Sequence, residues 1–420
     1  MSDPRSTVLA VTESTSVIHD ATLRFKVLTA AAMAARALTD TERPPDERLR
    51  TLMEAHGRVQ AARGPADPVT FSDFRDRLAS GLETLLPADV DAEEMQGVRL
   101  ITAEGTFDDD LLDLQDEQRL VMKSLAKASR GRAPLVGEWL DDDMDQERAY
   151  MALKKSMDQG RYVAGRRAYI EHPAGDEKTL RKLGLSSAAA GFYAPISHTA
   201  IYDRWWFGCP ICRWPMKIMM KSVRGRKTGH VRCFHAPHAG RGATYHFKIP
   251  KPGAAPTLQP TGSPPIRPSG NASVLFTDTS KGVPAACLAE GHKALIRGVW
   301  RWTTIPGRVE VDLFNALSVR GLNPVMWPDL DAYDLEVTIG TGASRTVFRI
   351  DVKDYTSPLL LAQKIQADGG DAGGANWLVV PDYRDNSLPL LRTVCEPYGL
   401  HVATAGQIGQ TICTAAGVTW

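Results

Sequence analysis

The 420-residue sequence lacks any run of the roughly eighteen uncharged apolar residues that a membrane-spanning helix needs, so no membrane partner is expected. No apolar segment follows a basic end near Met1, so we expect a cytoplasmic protein. Only six cysteines occur, too few for a disulfide scaffold in a chain of this length. Net charge is nearly absent, at +1 from 50 basic and 49 acidic residues, which excludes a polybasic or mostly disordered protein.

The amino-acid composition changes along the chain. Residues 1–195 are rich in Ala, Leu, Glu, Arg and Met, with apolar residues three and four apart, as is typical of α-helices. Residues 196–250 contain three of the cysteines, and residues 251–275 form a Pro- and Gly-rich linker. Residues 276–420 alternate short apolar strands with helices. The predicted fold is therefore multidomain, with a helical N-terminal region, a small module and a C-terminal α/β domain with a mixed sheet.

The near-zero total conceals segregated charge. Residues 81–120 contain twelve acidic and two basic side chains, a net charge of −10. Solvated helix faces and loops are the simplest interpretation; a DNA-mimicking or autoinhibitory surface is the alternative. Residues 201–250 contain ten basic side chains and one acidic, a net charge of +9.

Five cations of this basic stretch are candidates for binding nucleic acid. Aromatic residues between the cations would suit stacking on bases, although they could equally form the core of the module. The candidate phosphate contacts are Lys217, Lys221, Arg224, Arg226 and Lys227.

Half of the cysteines cluster in a pattern typical of a zinc site. Cys209 and Cys212 have the two-residue spacing that turns both thiolates toward one tetrahedral Zn²⁺. Cys233 follows, with His238 as the preferred fourth ligand and His235 as the alternative. A closed set of four ligands predicts a structural zinc; free buried cysteines beside a surface histidine are the other interpretation.

The segment from Tyr333 to Tyr355 has the alternating pattern of a β-hairpin. A four-residue turn sets a register that pairs Leu335 with Ile350 and Val337 with Phe348, all apolar. One face of the hairpin is therefore expected to be buried.

The opposite face carries ionisable side chains. Asp334 lies opposite Asp351, Glu336 opposite Arg349, and Lys353 comes next along the strand. Two opposed carboxylates repel each other unless a cation lies between them, and Mg²⁺ prefers such oxygen ligands. A solvated hairpin face is the alternative.

Elements on either side complete the predicted α/β domain. A helix over Arg308–Arg320 places Glu310 on its apolar stripe, where a carboxylate needs a partner. The elements after the hairpin are expected in the order helix, strand, helix, strand, over residues 357–367, 377–381, 388–398 and 401–404.

With these motifs the sequence resembles the PD-(D/E)xK, or restriction-endonuclease-like, nucleases. That family combines a mixed α/β core with a helix glutamate, a strand aspartate and a (D/E)-x-K tripeptide. The matching residues are Glu310, Asp334 and the tripeptide Asp351–Lys353. Tyr333 replaces the proline of the motif, and no strand is evident directly after the tripeptide.

The resemblance implies a Mg²⁺-dependent (or Mn²⁺-dependent) endodeoxyribonuclease. Asp334, Asp351 and the carbonyl of Val352 would hold the ion, and Lys353 would orient the attacking water. Glu310 would steer that water or assist a second ion.

More narrowly, the long helical part, the mid-chain cysteines and the run DVKDYTSP resemble the REase-like proteins encoded beside pPIWI-RE (prokaryotic Piwi-like) proteins and a helicase. This resemblance implies DNA as the substrate, a role against phage or plasmid DNA, and those two proteins as partners. Gln363 and Lys364 could contact phosphate. The rival hypotheses are an inactive DNA-binding scaffold subunit and a zinc-dependent regulator, although no helix-turn-helix is evident. No pattern predicts the oligomeric state.

Overall fold

A computed structural model of the chain describes residues 4–39, 43–96, 98–102, 105, 107–128, 145–223, 226–262, 283–342 and 345–420. The chain divides into two compact units. The first comprises residues 1–142 and 355–370, and the second comprises residues 143–354 and 371–420. Among the described residues, no helix has both the length and the apolar composition that crossing a membrane requires.

The described elements are numbered here in chain order. The helices are α1 (Pro4–Thr39), α2 (Pro45–Arg63), α3 (Phe71–Arg77), α4 (Asp110–Ala128), α5 (Asp145–Lys154), α6 (Gln159–Glu171), α7 (Glu177–Arg181), α8 (Ser187–Ala190), α9 (Ala236–Gly240), α10 (Arg297–Val299), α11 (Ile305–Ser318), α12 (Pro358–Ala367), α13 (Leu388–Cys395) and α14 (Ala405–Ala415). The strands are β1 (Ala174–Asp176), β2 (Tyr193–Pro195), β3 (Trp205–Trp206), β4 (Lys217–Val223), β5 (Arg226–Arg232), β6 (Thr244–Lys248), β7 (Gln259–Pro260), β8 (Cys287–Leu288), β9 (His292–Leu295), β10 (Val325–Met326), β11 (Leu335–Ile339), β12 (Thr346–Val352), β13 (Trp377–Val380) and β14 (His401–Thr404).

The first unit is helical. Helix α4 packs against α1 and α12, with Leu28 and Val121 fully buried. The carboxylate of Glu117, on α4, accepts hydrogen bonds from the backbone N–H groups of Thr356 (2.5 Å) and Ser357 (2.9 Å). Since unpaired N–H groups at a helix start need acceptors, this carboxylate fixes the beginning of α12. Ser357 is the N-cap of α12, so the helix begins where the sequence predicted it.

Part of the acidic stretch is interior. Asp109, Asp113 and Glu117 are 7%, 3% and 0% exposed, whereas solvated faces and loops were expected for this segment. The expectation is wrong at these positions because α4 lies between α1 and α12, so that its acidic residues are covered on two sides.

The second unit contains a five-stranded mixed sheet in the order β10-β11-β12-β13-β14. Strands β10 to β12 are antiparallel, and β12 to β14 are parallel. Leu335 pairs with Ile350 and Val337 with Phe348, so the predicted hairpin register is confirmed. The predicted helical N-terminal region and C-terminal mixed sheet are likewise confirmed.

Three features of this sheet differ from the sequence expectation. Helix α11 begins at Ile305 rather than Arg308, because the π-helical turn Trp300–Thr304 already leads into it. Strand β10 adds an edge beside β11, and α14 follows the last strand. Neither β10 nor α14 was predicted; β10 has only two residues, too few for a periodic signal.

The cysteine-containing region forms the sheet β4-β5-β6-β7 and shares one hydrophobic core with the mixed sheet. The indole of Trp214 stacks on that of Trp300 at 4.2 Å. Trp206 and Phe207 are also buried, so these aromatics belong to the core and are not free for base stacking. The predicted linker lies partly outside the described residues.

Candidate active site and cysteine–histidine cluster

Asp334 and Asp351 lie opposite each other at one end of the β11–β12 hairpin. The N–H of Asp334 donates to the carbonyl of Ile350 (2.9 Å), which continues the antiparallel pairing one residue beyond β11. Oδ2 of Asp334 accepts from the N–H of Val352 (2.6 Å). The aspartate is therefore fixed by the strand that carries the tripeptide.

Lys353 reaches back to the carboxylate two residues before it. Its Nζ donates to Oδ1 of Asp351 (2.6 Å), as side chains two apart on a strand share a face. Although burial disfavours the charged ammonium, the carboxylates of Asp351 and Asp334 hold the pKa of Lys353 above its usual range. The lysine side chain is 34% exposed and that of Asp351 is 11% exposed, so this pair forms the accessible edge of the site.

Glu310, on α11, is 1% exposed and already has partners on both oxygens. Nη2 of Arg166 contacts Oε1 (3.0 Å) and Oε2 (2.9 Å), and Nε1 of Trp327 donates to Oε2 (2.6 Å). Burial raises the pKa of Glu310, while the charge of Arg166 opposes that shift. Arg166 and Trp327 are therefore the partners that a glutamate on the apolar stripe of a helix was expected to need.

Arg166, on α6, was missed by the sequence interpretation. Its Nη2 also contacts Oδ1 of Asp334 (3.1 Å), and its Nη1 pairs with Asp331. The guanidinium lies 4.7 Å from the ring centroid of Trp327 and is 2% exposed. Arg166 shares a helical stripe with buried Tyr162 and Tyr169, at four- and three-residue spacing, and this was the only available signal.

The chain before Asp334 is backbone-strained. Trp327, Asp329, Leu330 and Asp331 all have positive φ, between 46° and 74°. Left-handed backbone costs about 1–2 kcal/mol for each residue with a side chain, so surrounding contacts must hold it.

Helix α6 supplies those contacts. Gln159 donates to the carbonyl of Trp327 (2.7 Å) and accepts from the N–H of Leu330 (2.9 Å). Tyr162 donates to Oδ2 of Asp331 (2.8 Å).

The charges of the site suit one divalent cation. Burial and the adjoining Glu310 carboxylate raise the pKa of Asp334 well above its usual value. With Asp331 and Asp351 there are four carboxylates, against two cations, Arg166 and Lys353. Fully ionised, the set carries a charge of −2, and hard divalent ions prefer carboxylate oxygens.

Cys209, Cys212, Cys233 and His238 form a second, separate cluster. All four side chains are buried, and their ligand atoms lie within 4.8 Å of one another. In the part of the chain that the structure describes, no other group of three or more His, Cys, Asp or Glu residues has this geometry.

The cluster has the dimensions of a zinc site. The sulfurs of Cys212 and Cys233 are 3.8 Å apart, and Sγ of Cys233 is 3.6 Å from Nδ1 of His238. A tetrahedral ion with bonds of about 2.3 Å to sulfur requires sulfurs about 3.8 Å apart. The residues therefore fit a Zn²⁺ ion.

Two knuckle turns build the cluster. The N–H of Cys209 donates to the carbonyl of Trp214 (2.8 Å), which closes the first turn between β3 and β4. Cys233 directly follows β5, and its N–H donates to the carbonyl of Ala243 (3.0 Å). His238 lies on α9, between Cys233 and Ala243 in the sequence.

His235, the alternative ligand, points elsewhere. Its Nε2 lies 3.3 Å from the hydroxyl of Tyr383 and 3.5 Å from Oδ2 of Asp354. Arg384 donates to Oδ1 of Asp354 (3.0 Å), and Arg301 donates to its backbone carbonyl (2.8 Å). Although burial opposes it, these two arginines hold the pKa of Asp354 well below its usual value.

The predicted nucleic-acid contacts are placed unevenly. Lys217 and Lys221 share one face of the β4–β7 sheet. Lys227 is exposed, but its side chain lies on the opposite face of the sheet, near the tip of the β4–β5 hairpin. The backbone of Arg226 pairs with that of Val223. Arg224 lies outside the described residues.

That face carries no acidic residue among its described strand positions. The positions are Lys217, Met219, Lys221, Thr228, His230, Arg232, Thr244, His246, Lys248 and Gln259. Burial, with the nearby Lys221 and His246, lowers the pKa of His230, so the charge of the face comes from its lysines and arginine.

A mixed sheet with two opposed strand carboxylates and an Asp-x-Lys tripeptide has the features that the restriction-endonuclease-like resemblance predicted. Residues 307–420 match a family model described as the REase associating with pPIWI_RE. The narrower resemblance, to the REase-like proteins associated with pPIWI-RE, is thereby confirmed over this segment, which contains Glu310, Asp334, Asp351 and Lys353 but neither Arg166 nor the Cys/His cluster. No curated protein and no solved structure gave a match.

Proposed function

We propose that this protein is a metal-dependent endonuclease that hydrolyses phosphodiester bonds of DNA in prokaryotic defence against phage or plasmid DNA. The observation that carries the proposal is the accessible Lys353–Asp351 pair facing Asp334 across the hairpin. The family match over residues 307–420 supports a nuclease in a pPIWI-RE setting, with a Piwi-like protein as its partner. A helicase is proposed as a second partner on the sequence resemblance alone. The cytoplasm is the proposed location.

The chemistry follows from this arrangement. Asp334, Asp351 and the carbonyl of Val352 would hold Mg²⁺ (or Mn²⁺), which when bound polarises the scissile phosphate and acidifies water. Lys353, kept charged by its carboxylate neighbours, orients the attacking water and offsets charge that develops on the phosphate. Glu310 is 1% exposed and both of its oxygens contact Arg166, so we assign it to holding Arg166 rather than to steering water.

The Cys/His cluster is proposed to hold one structural Zn²⁺, because its four ligands are buried and leave no open position. An inactive scaffold subunit is the rival function. A scaffold has no need of a lysine held beside paired carboxylates, and this contact favours the enzyme.

Removal of Lys353 is the direct test. The full chain with Mg²⁺ is expected to nick supercoiled plasmid, alone or with its Piwi-like partner, and Lys353→Ala is expected to lower the rate at least about 100-fold. Lys293→Ala, which removes a lysine paired with Glu177 on the surface, is the matched control and should leave the rate unchanged. Equal nicking by wild type and Lys353→Ala, or none by wild type with its partner present, would sink the enzyme proposal in favour of the scaffold.

DNA is proposed to lie along the cationic face of the β4–β7 sheet. Lys221 and Lys248 flank Thr228 in the register, so both project from that face. Replacing both by alanine should weaken DNA binding and reduce the slope of log affinity against log salt by about 2, since each phosphate contact contributes about 0.9. Fluorescence anisotropy over a salt series measures this slope. Lys178→Ala with Lys182→Ala removes the same charge elsewhere, and an equal loss there would argue against a specific face.

A further inference from the structure

We infer that Arg166 is a built-in cation of the candidate active site and that the site consequently takes one divalent ion, not two; this inference rests on the proposed nuclease function. Arg166 is a positioning residue, since its guanidinium touches carboxylates and not the reacting atoms. It comes from α6, far in sequence from the segment that matches the nuclease family.

The guanidinium occupies the place where a second ion would need ligands. Its Nη2 lies 3.0 and 2.9 Å from the two oxygens of Glu310 and 3.1 Å from Oδ1 of Asp334. The indole of Trp327 takes the remaining approach to Oε2 of Glu310. Glu310 therefore has no accessible oxygen for an ion, at 1% exposure.

The arginine is held so that it cannot easily swing away. The rings of Trp327 and Tyr150 lie 4.7 and 5.2 Å from its guanidinium carbon. Its Nη1 pairs with Asp331, which lies in the left-handed turn. The hydroxyl of Tyr162 donates a hydrogen bond to the same carboxylate. Removal of one member from a buried charge network is costly, because the partners stay buried without compensation.

The net charge of the side chains in the site matches that of one divalent ion. Arg166 offsets one of the charges on Glu310, Asp331 and Asp334, and Lys353 offsets that of Asp351. The remaining charge of −2 equals one divalent ion, and of its two candidate carboxylate ligands Asp351 is the more exposed, at 11% against 7% for Asp334. A second divalent ion would bring the set to +2 in a buried site, which low-dielectric surroundings disfavour.

Counting bound Mn²⁺ on the zinc-loaded full chain tests the inference independently of cleavage. Electron paramagnetic resonance and titration calorimetry should find one Mn²⁺ per wild-type chain, lost in Asp351→Asn. Two Mn²⁺ per chain, both lost with Asp351→Asn or Asp334→Asn, would overturn the inference. A chain that binds one ion but cuts no DNA would defeat the proposed function and leave the ion count standing.

Variants of Arg166 sharpen the test. Arg166→Lys keeps the charge and should keep one ion with slower nicking. Arg166→Met removes the positive charge, and the variant should bind a second Mn²⁺ that is lost when Asp334 is replaced by asparagine. A folded Arg166→Met with one ion of unchanged affinity and an unchanged nicking rate would refute the inference. Arg167→Met, at the next position with Glu171 as its surface partner, is the control. If Arg166→Met does not fold, the wild-type count still decides.

Discussion

Replacing Cys209 and Cys212 together by alanine is expected to remove the bound metal and to abolish cooperative unfolding of the second unit, residues 143–354 and 371–420. All four ligands are buried, and the three cysteines belong to the same core as the stacked Trp214 and Trp300. Zinc binding to small zinc-dependent folds is worth about 10–16 kcal/mol at neutral pH, which equals or exceeds the total stability of many domains. The effect should therefore be the largest of any substitution outside the candidate active site.

Metal analysis should find about one zinc per wild-type chain and none in the double variant. Thermal unfolding followed by circular dichroism then gives the stability, and a chelator should reproduce the loss in wild type. Cys287→Ala removes a cysteine outside the cluster and is the control. Retention of about one zinc by the double variant, or its loss without any change in melting temperature, would contradict a structural metal.

Asp354→Ala is expected to lower the free energy of unfolding by about 3–5 kcal/mol, as for other buried charges whose partners are left behind. The Asp354 side chain is fully buried among Arg301, Arg384, Tyr383 and His235. The substitution leaves the buried Arg301 and the largely buried Arg384 without this carboxylate. Because Asp354 directly follows Lys353, the nicking rate should fall as well.

Urea unfolding of Asp354→Ala measures this loss of stability. The control is Asp385→Ala, which removes an exposed aspartate next to Arg384 in the sequence. Equal midpoints for the two variants would show that the Asp354 network adds nothing to stability. A large loss of stability with nicking unchanged below the unfolding midpoint would show that the network does not position Lys353.

The hairpin could be predicted because its information is local. A period of two fixes which face is buried, and one turn fixes the register, so Asp334 and Asp351 had to be opposite each other. The Cys209–Cys212 spacing is local in the same way. The sequence left His238 and His235 as alternatives, because only two residues separate them and both are buried.

Arg166 could not be predicted with the same means. Its partners Glu310 and Asp334 are 144 and 168 residues away, and no periodicity connects positions at that distance. An arginine in an amphipathic helix is ordinarily a surface residue. The burial of Asp113 and Glu117 was missed for the same reason, since an acidic run is solvated in most proteins.

The chain path between β12 and β13 has a practical consequence for dissecting the protein. After Asp354 the chain enters the first unit as α12, and it returns to the second unit at Asp371. The start of α12 depends on Glu117, and its buried residues Leu360 and Leu361 belong to the first unit. A fragment that begins after residue 142 would retain every candidate catalytic side chain and still expose the apolar face of its own crossover helix, so neither unit can be expressed as one uninterrupted piece.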